Sequence, residues 1–156
     1  MLWTSRHPKG DIMKVRIAGI TSESLVDGSG LRVVVFFQGC PHRCVGCQNP
    51  ETWSKDGGTV MTVRELIREV NKQLTPLHSG ITISGGEPVE QSRAVVELIK
   101  WAKEANFDVV LYTGYTLQEL ITRAYKDPAV VYILNSVDWL VDGRFVKELH
   151  DPKLKW

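Results

Sequence analysis

Cys40, Cys44 and Cys47 are the only cysteines in a chain of 156 residues, and they fall within eight positions as C-x-x-x-C-x-x-C. Scattered structural cysteines would not gather in one stretch, and an odd number of close neighbours cannot pair off as unstrained disulfides. Thiolate ligation of a metal is the chemistry that uses all three. A structural zinc ion takes four protein ligands, and His42 is at hand as a fourth, but its place between Cys40 and Cys44 makes wrapping one tetrahedral ion awkward. A cubane iron-sulfur cluster is ordinarily held by four thiolates, and three from one short loop reach three of its corners. The fourth iron is then open to a substrate or cofactor, which can be reduced there directly.

Such a loop has to be carried by ordered elements, and the pattern around it supplies them. Asp27-Gly28-Ser29-Gly30-Leu31-Arg32 leads into Val33-Val34-Val35-Phe36-Phe37, an apolar β-branched and aromatic run that suits a strand covered on both faces and delivers the chain into the cysteines. Upstream, apolar and polar residues alternate from Met13 to Ile20 as in a strand. Downstream, Thr62-Val63-Arg64-Glu65 has the capping-box pattern, and the spacing of Val63, Leu66, Ile67, Val70 and Leu74 predicts a helix that stops before Pro76. Strands are then predicted over 80–84, 108–112 and 137–141. The first two are followed by helices carrying Val95, Leu98, Ile99, Ala102 and Ala105 on one face, and Thr116-Leu117-Gln118-Glu119 as a second capping box; residues 128–134 add a short helix.

Strands alternating with amphipathic helices give an α/β fold with mainly parallel strands. A complete eightfold barrel takes about 250 residues, so the expectation is a partial, open β/α barrel. Residues 1–12 are polar, hold Pro8 and Gly10, and read as a loose extension before one domain over 13–156; a start at Met13 would leave that domain whole. The cysteine loop, Gly85-Gly86-Glu87-Pro88, Thr113-Gly114-Tyr115 and Asp142-Gly143-Arg144-Phe145 each follow the C-terminal end of a predicted strand, where parallel sheets bind ligands.

Composition narrows the classes of partner. A formal net charge of +1 gives no electrostatic case for nucleic acid, and no apolar run is long enough for a membrane span. Free thiolates point to a reducing compartment, the cytoplasm.

The cysteine motif resembles that of the radical S-adenosylmethionine superfamily. Its members hold a [4Fe-4S] cluster on the three cysteines, bind S-adenosyl-L-methionine at the open iron, and release a 5′-deoxyadenosyl radical after one-electron reduction. The resemblance sharpens with Gly28-x-Gly30-x-Arg32, Gly39-Cys40, Cys44-Val45-Gly46-Cys47, Asn49, Thr52-Trp53, Gly85-Gly86-Glu87-Pro88, Thr113-Gly114-Tyr115 and Val141-Asp142-Gly143-Arg144-Phe145. Together these are similar to the activating proteins of anaerobic (class III) ribonucleoside-triphosphate reductase, in which glycine also stands before the last cysteine. Two departures stand out: Ser29 where that family often has proline, and an end at Trp156 where it usually continues with a polar tail.

The resemblance implies a glycyl-radical activase whose partner is the reductase large subunit and whose electron donor is flavodoxin or ferredoxin. It implies Cys40, Cys44 and Cys47 as cluster ligands, and Gly85, Gly86 and Glu87 as the stretch that receives the methionyl amino group. Thr113, Gly114 and Asn49 would contribute to the same pocket. His42, Arg32 and Trp53 are candidates for supporting positions around the cluster. No general acid or base is nominated, because the cofactor carries the hard chemistry.

Plainer readings compete with several of these. Gly-Gly-Glu-Pro suits a strand-to-helix turn, Arg32 a solvated strand entry, and Asp142 a turn aspartate before glycine. Rival functions are another radical enzyme, acting on a different glycyl-radical protein or a small molecule such as a deazapurine precursor, and a non-catalytic zinc or electron-transfer module.

Overall fold

The computed structural model describes residues 12–153. The extension expected over residues 1–12 therefore lies, apart from Ile12, outside the described residues. Among the described residues, six strands form one open sheet in the order β3-β1-β2-β4-β5-β6. The strands are β1 (Lys14–Ser24), β2 (Leu31–Phe37), β3 (Thr59–Thr62), β4 (His78–Gly85), β5 (Asp108–Tyr112) and β6 (Trp139–Val141). From β2 to β6 the neighbours are parallel, whereas β1 runs antiparallel to both β2 and β3. The mixed α/β class is thus observed, with an antiparallel margin that the sequence reading did not contain. β3 escaped it because four residues with threonine at both ends carry too little alternation to register as a strand.

Helices α1 (Val63–Gln73), α2 (Ser92–Glu104), α3 (Leu117–Ala124) and α4 (Pro128–Ser136) occupy the connections. The two predicted capping boxes form: the Thr62 and Thr116 hydroxyls accept from the Glu65 and Glu119 backbone N–H groups, and each glutamate accepts in return from its threonine N–H. Asp127 caps α4 with one carboxylate oxygen and takes the Ser92 hydroxyl on the other, joining the starts of α4 and α2.

The period-two alternation of the strands divides the molecule. Val33, Val35 and Phe37 of β2, Ile81 and Ile83 of β4, and Val109 and Leu111 of β5 join the helical Leu66, Val70, Leu98, Ile99, Leu120 and Ile133 in one core. The alternate positions, Arg32, Val34, Thr82, Ser84, Val110 and Tyr112, face the other side. There Val34 and Val110 are buried although no helix packs on them from that cluster, because the loop before β2 folds across: a Cβ on Gly28 would stand 3.1 Å from Val110. Successive parallel strands added in one direction, with right-handed crossovers, put their helices on one face and leave the other for a site. Among the described residues no helix is long and apolar enough to cross a membrane.

Candidate functional site

β2 ends at Phe37, and the next residues are clamped before the first cysteine arrives. Gln38 is buried, and its side-chain amide donates to the carbonyls of Glu51 and Ser54 at 3.0 and 2.7 Å. Gln91 in turn donates to the Gln38 carbonyl and accepts from the Arg16 N–H. Backbone bonds then close the loop on itself, Gly39 N–H to the Thr52 carbonyl at 2.7 Å and Cys40 N–H to the Trp53 carbonyl at 3.1 Å. Between the first two cysteines Arg43 takes a left-handed φ of 49°, a conformation non-glycine residues seldom adopt, which turns the backbone between the thiols. The Asn49 N–H points back at the Cys47 sulfur at 3.4 Å.

All three thiols line one cavity of about 190 Å³. Its floor comes from the ends of β4 and β5, with Ser84, Gly85, Gly86, Tyr112, Thr113 and Gly114, and Val141, Gly143 and Phe145 form a further wall. The glycines admit close approach of chain to chain. A Cβ on Gly86 would lie 2.4 Å from the Gly39 carbonyl oxygen, so that residue has a packing reason to lack a side chain as well as an exposed backbone.

Glu87 lies just behind this floor with no solvent exposure. Its Oε1 accepts from the Val89 N–H at 3.0 Å and the Thr113 hydroxyl at 2.8 Å. Its Oε2 accepts from the Gly114 N–H at 2.8 Å, and His42 Nε2 donates to the same oxygen at 2.7 Å. Four donors meet this buried carboxylate, so neither of its oxygens is left without a partner. The carboxylate thereby joins the cysteine loop to the loop after β5. Of the sequence candidates, Cys40, Cys44, Cys47, His42, Trp53, Gly85, Gly86, Thr113 and Gly114 surround the cavity, whereas the Glu87 side chain is turned away into protein.

Arg32 is placed elsewhere. It pairs with Gly80 near the start of β4, while Phe37, five residues on, pairs with Gly85 beside the cysteines. The solvated strand-entry reading is also corrected, since Arg32 is wholly buried. Its guanidinium donates to the Thr82 hydroxyl and the Ile81 and Ser29 carbonyls, and pairs with Asp108 at 2.6 Å. Asp142 caps rather than coordinates, its carboxylate accepting from the Leu117 N–H at the start of α3 at 2.6 Å.

Electrostatically, the Cys40 thiol holds its proton more tightly than a free one. Burial pushes the Cys40 thiol up, and the charges of Glu87 and Cys44 add to the rise, while the His42 and Arg43 backbone groups pull the other way. Thiols must lose their protons to ligate, and a cationic centre offsets the penalty of burying the thiolate. Burial likewise raises the Tyr112 phenol, and burial with a hydrogen bond to Glu90 raises Tyr115 to about 12, so both remain neutral donors at ordinary pH.

The residues fit a multi-atom iron-sulfur group. Three soft thiolates border the cavity beside His42, while among the described residues no carboxylate lines it and no group of three His, Cys, Asp or Glu side chains is arranged to hold a single metal ion, which leaves a multi-atom cluster as the better fit. Trp53, also on the cavity wall, has a buried indole N–H with no acceptor among the described residues. Sequence reasoning missed Gln38, Gln91, Ser84 and Tyr112, while Phe145 lay in a stretch it had placed at a ligand-binding strand end. Gln38 had a signal, a polar residue closing an otherwise unbroken apolar run.

Comparison with known proteins gives a consistent set. The model of the 4Fe-4S single cluster domain family matches residues 26–156. The anaerobic ribonucleoside-triphosphate reductase-activating protein of Vibrio cholerae is 36% identical over 138 residues, covering 85% of each chain. Its namesake in Enterobacteria phage T4 is 35% identical over 137 residues, covering 83% of this chain and 80% of its own. The pyruvate formate-lyase-activating enzyme of Clostridium pasteurianum is 40% identical over 104 residues, 64% of this chain and 44% of its own.

Proposed function

Since the chain belongs to the 4Fe-4S single cluster family and, within it, to the anaerobic ribonucleoside-triphosphate reductase-activating proteins, we propose that it installs the glycyl radical on that reductase. It is an oxidoreductase of the radical S-adenosylmethionine type, with a [4Fe-4S] cluster and S-adenosyl-L-methionine as cofactors. The observation that carries the reading is that all three cysteines of one loop open onto a single cavity floored by the C-terminal ends of parallel strands.

Cys40, Cys44 and Cys47 would hold the cluster. When bound, it would supply the one-electron reduction of S-adenosylmethionine that hydrogen-atom abstraction from a glycine of the reductase requires. The residues of this chain bind, orient and shield. The backbone at Gly85 and Gly86 lines the floor and would meet the methionyl end of the cofactor through its carbonyls, the Gly86 N–H being already bonded to the Phe37 carbonyl at 2.8 Å. Thr113 and Gly114 keep the adjacent loop in place through Glu87, and Asn49 donates to the Cys47 sulfur. Trp53 and Phe145 screen the site from water, and the Trp53 indole N–H has a donor to offer the bound group. No side chain is needed as acid or base, because the step moves a hydrogen atom.

The finer expectations accompany this reading. Residues 13–156 form a single domain that is a partial β/α barrel, opening on the face opposite the helices. The electron donor is flavodoxin or ferredoxin, and the compartment is the reducing cytoplasm. A second reading is favoured by the Clostridium relative, that the substrate is a different glycyl-radical enzyme.

The deciding experiment is electron paramagnetic resonance on the cognate reductase after anaerobic incubation with this protein, iron, sulfide, S-adenosylmethionine and a strong reductant. A glycyl-type doublet dependent on this chain is expected. Release of 5′-deoxyadenosine without the doublet would move the substrate to another protein. Zinc alone after anaerobic purification would return the chain to the non-catalytic class.

A further inference from the structure

His42 stands in the middle of the cysteine loop, yet its ring is gripped from outside that loop. Its side chain is only 5% exposed, and its Nε2 donates to Glu87 Oε2 at 2.7 Å. One edge abuts the backbone of Gly114, where an added Cβ would come within 2.3 Å of the imidazole. Tyr115 closes the other side edge-to-face, with ring centroids 4.5 Å apart. Tyr115 is itself immobilised, its hydroxyl donating to Glu90 at 2.6 Å and the Arg123 guanidinium lying 4.4 Å over its ring. The imidazole therefore fills a fitted slot in the loop after β5, and Glu87 holds it there.

The remaining links between the cysteine loop and the sheet explain why this contact matters. The loop is pinned at its entrance by Gln38, Gly39 and Cys40, through bonds to residues 51–54 that leave with it. Glu87 N–H donates to the Gly39 carbonyl at 2.8 Å, still at the entrance. His42 is the side chain that reaches from between the first two thiols to the far loop.

We propose that His42 is a positioning residue: seated between Glu87, Gly114 and Tyr115, it sets the spacing between the thiols and the loop after β5, and so places the cluster against the cofactor's side of the cavity. This rests on the cofactor reading given above. The ring acts as a spacer. Its removal leaves three thiolates able to take up a cluster but loosens the distance from that cluster to the Gly85, Gly86 and Gly114 floor. A misplacement of this kind weakens a cofactor that must touch the cluster and the floor at once.

A double-mutant cycle tests it on the reconstituted full chain. The variants are His42→Ala, Gly114→Ala and the two combined, measured without reductase. Readouts are iron and sulfide content, the resonance spectrum of the reduced cluster with and without S-adenosylmethionine, and KM and kcat for 5′-deoxyadenosine release. His42→Ala is expected to keep its iron and its spectrum without cofactor, to lose most of the cofactor-induced spectral change, and to raise KM about tenfold or more with a smaller effect on kcat.

Gly114→Ala, whose new methyl displaces the ring, should reproduce that pattern. Because the three heavy atoms nearest to a Cβ on Gly114 all belong to the His42 ring, the combined variant should be no worse than His42→Ala alone. Additive losses would overturn the spacer role, as would a His42→Ala chain with the wild-type KM and spectrum. Loss of the cluster from His42→Ala, with Gly114→Ala normal in every readout, would make the imidazole a ligand and overturn it too. Failure of the underlying reading looks different: the wild-type chain itself would then hold no cluster or release no 5′-deoxyadenosine.

Discussion

The two ends of the parallel strands each bury a charged side chain, and they use it in opposite ways. At the start of β2 and β4, Arg32 fills the space beneath the sheet with its own bulk, bonded to strand carbonyls, Thr82 and Asp108. At the finish of the same strands, Glu87 fills nothing; it gathers donors from three loops and leaves the space between them open. A long, multiply donating cation makes a plug, and a compact acceptor makes a joint. One end is built for stability and the other for geometry.

The largest effect expected on either end is from Cys44→Ala. It should abolish cluster binding and activity while leaving a foldable domain, checked by iron and sulfide content beside a melting curve of the cluster-free chain. Full iron and activity in that variant would remove the ligand assignment. Arg32→Met should show the converse. We expect it to cost about 2–4 kcal/mol in denaturant unfolding, less than breaking a fully enclosed pair because the Asp108 side chain is 39% exposed. Its cluster spectrum should be unchanged, and a shifted spectrum would join the two ends functionally.

Gly86→Ala ought to blur the distinction, since its methyl collides with the Gly39 carbonyl at the loop entrance. A loss of about 1–3 kcal/mol is expected together with a perturbed cluster spectrum. Trp53→Phe keeps the ring and removes the unpartnered donor. Stability of the cluster-free chain should move by less than about 1 kcal/mol, while the midpoint potential of the loaded cluster falls, because a hydrogen bond to a cluster favours its reduced form.

The smallest effect is one of pH. Arg144 grips Glu119 through two hydrogen bonds, and these, with the Thr116 N–H, hold the Glu119 carboxyl down to about 2. A folded value below the unfolded one stabilises the chain above the ordinary carboxylate range, about 4.3, and that contribution fades as pH falls toward 2. Arg144→Gln should flatten this part of the stability profile measured by denaturation between those limits.

Much of this was legible in the chain, and what was hidden shares one cause. The cysteine spacing, the capping boxes at Thr62 and Thr116, and the core-facing Val63, Leu66, Ile67 and Val70 are local patterns, and local patterns can be read. The placing of special loops at strand ends was legible too, because alternation and glycine mark where strands stop. The partnership of His42 with Glu87 spans 45 positions, and that of Arg32 with Asp108 depends on which strands become neighbours. Neither leaves a trace in adjacent residues. Arg32 read as either a place near the cluster or a solvated strand entry for that reason, and β3 read as nothing because its pairing with β1 supplies what its own four residues lack.

The walls of the cavity also carry a consequence for how the protein is made. The thiols are synthesised first; the floor at 84–86 comes next, the Thr113 and Gly114 loop after that, and Phe145 last. While the ribosome is still producing β5 and β6, the cysteines have at most their own loop, the entrance bonds and the end of β4 around them. A chain emerging from its N-terminus therefore exposes reactive thiols well before it can enclose anything between them. Iron and sulfide delivered after release meet a finished chamber. Delivered during synthesis, they would meet a bare loop, open to oxygen and to any competing soft metal.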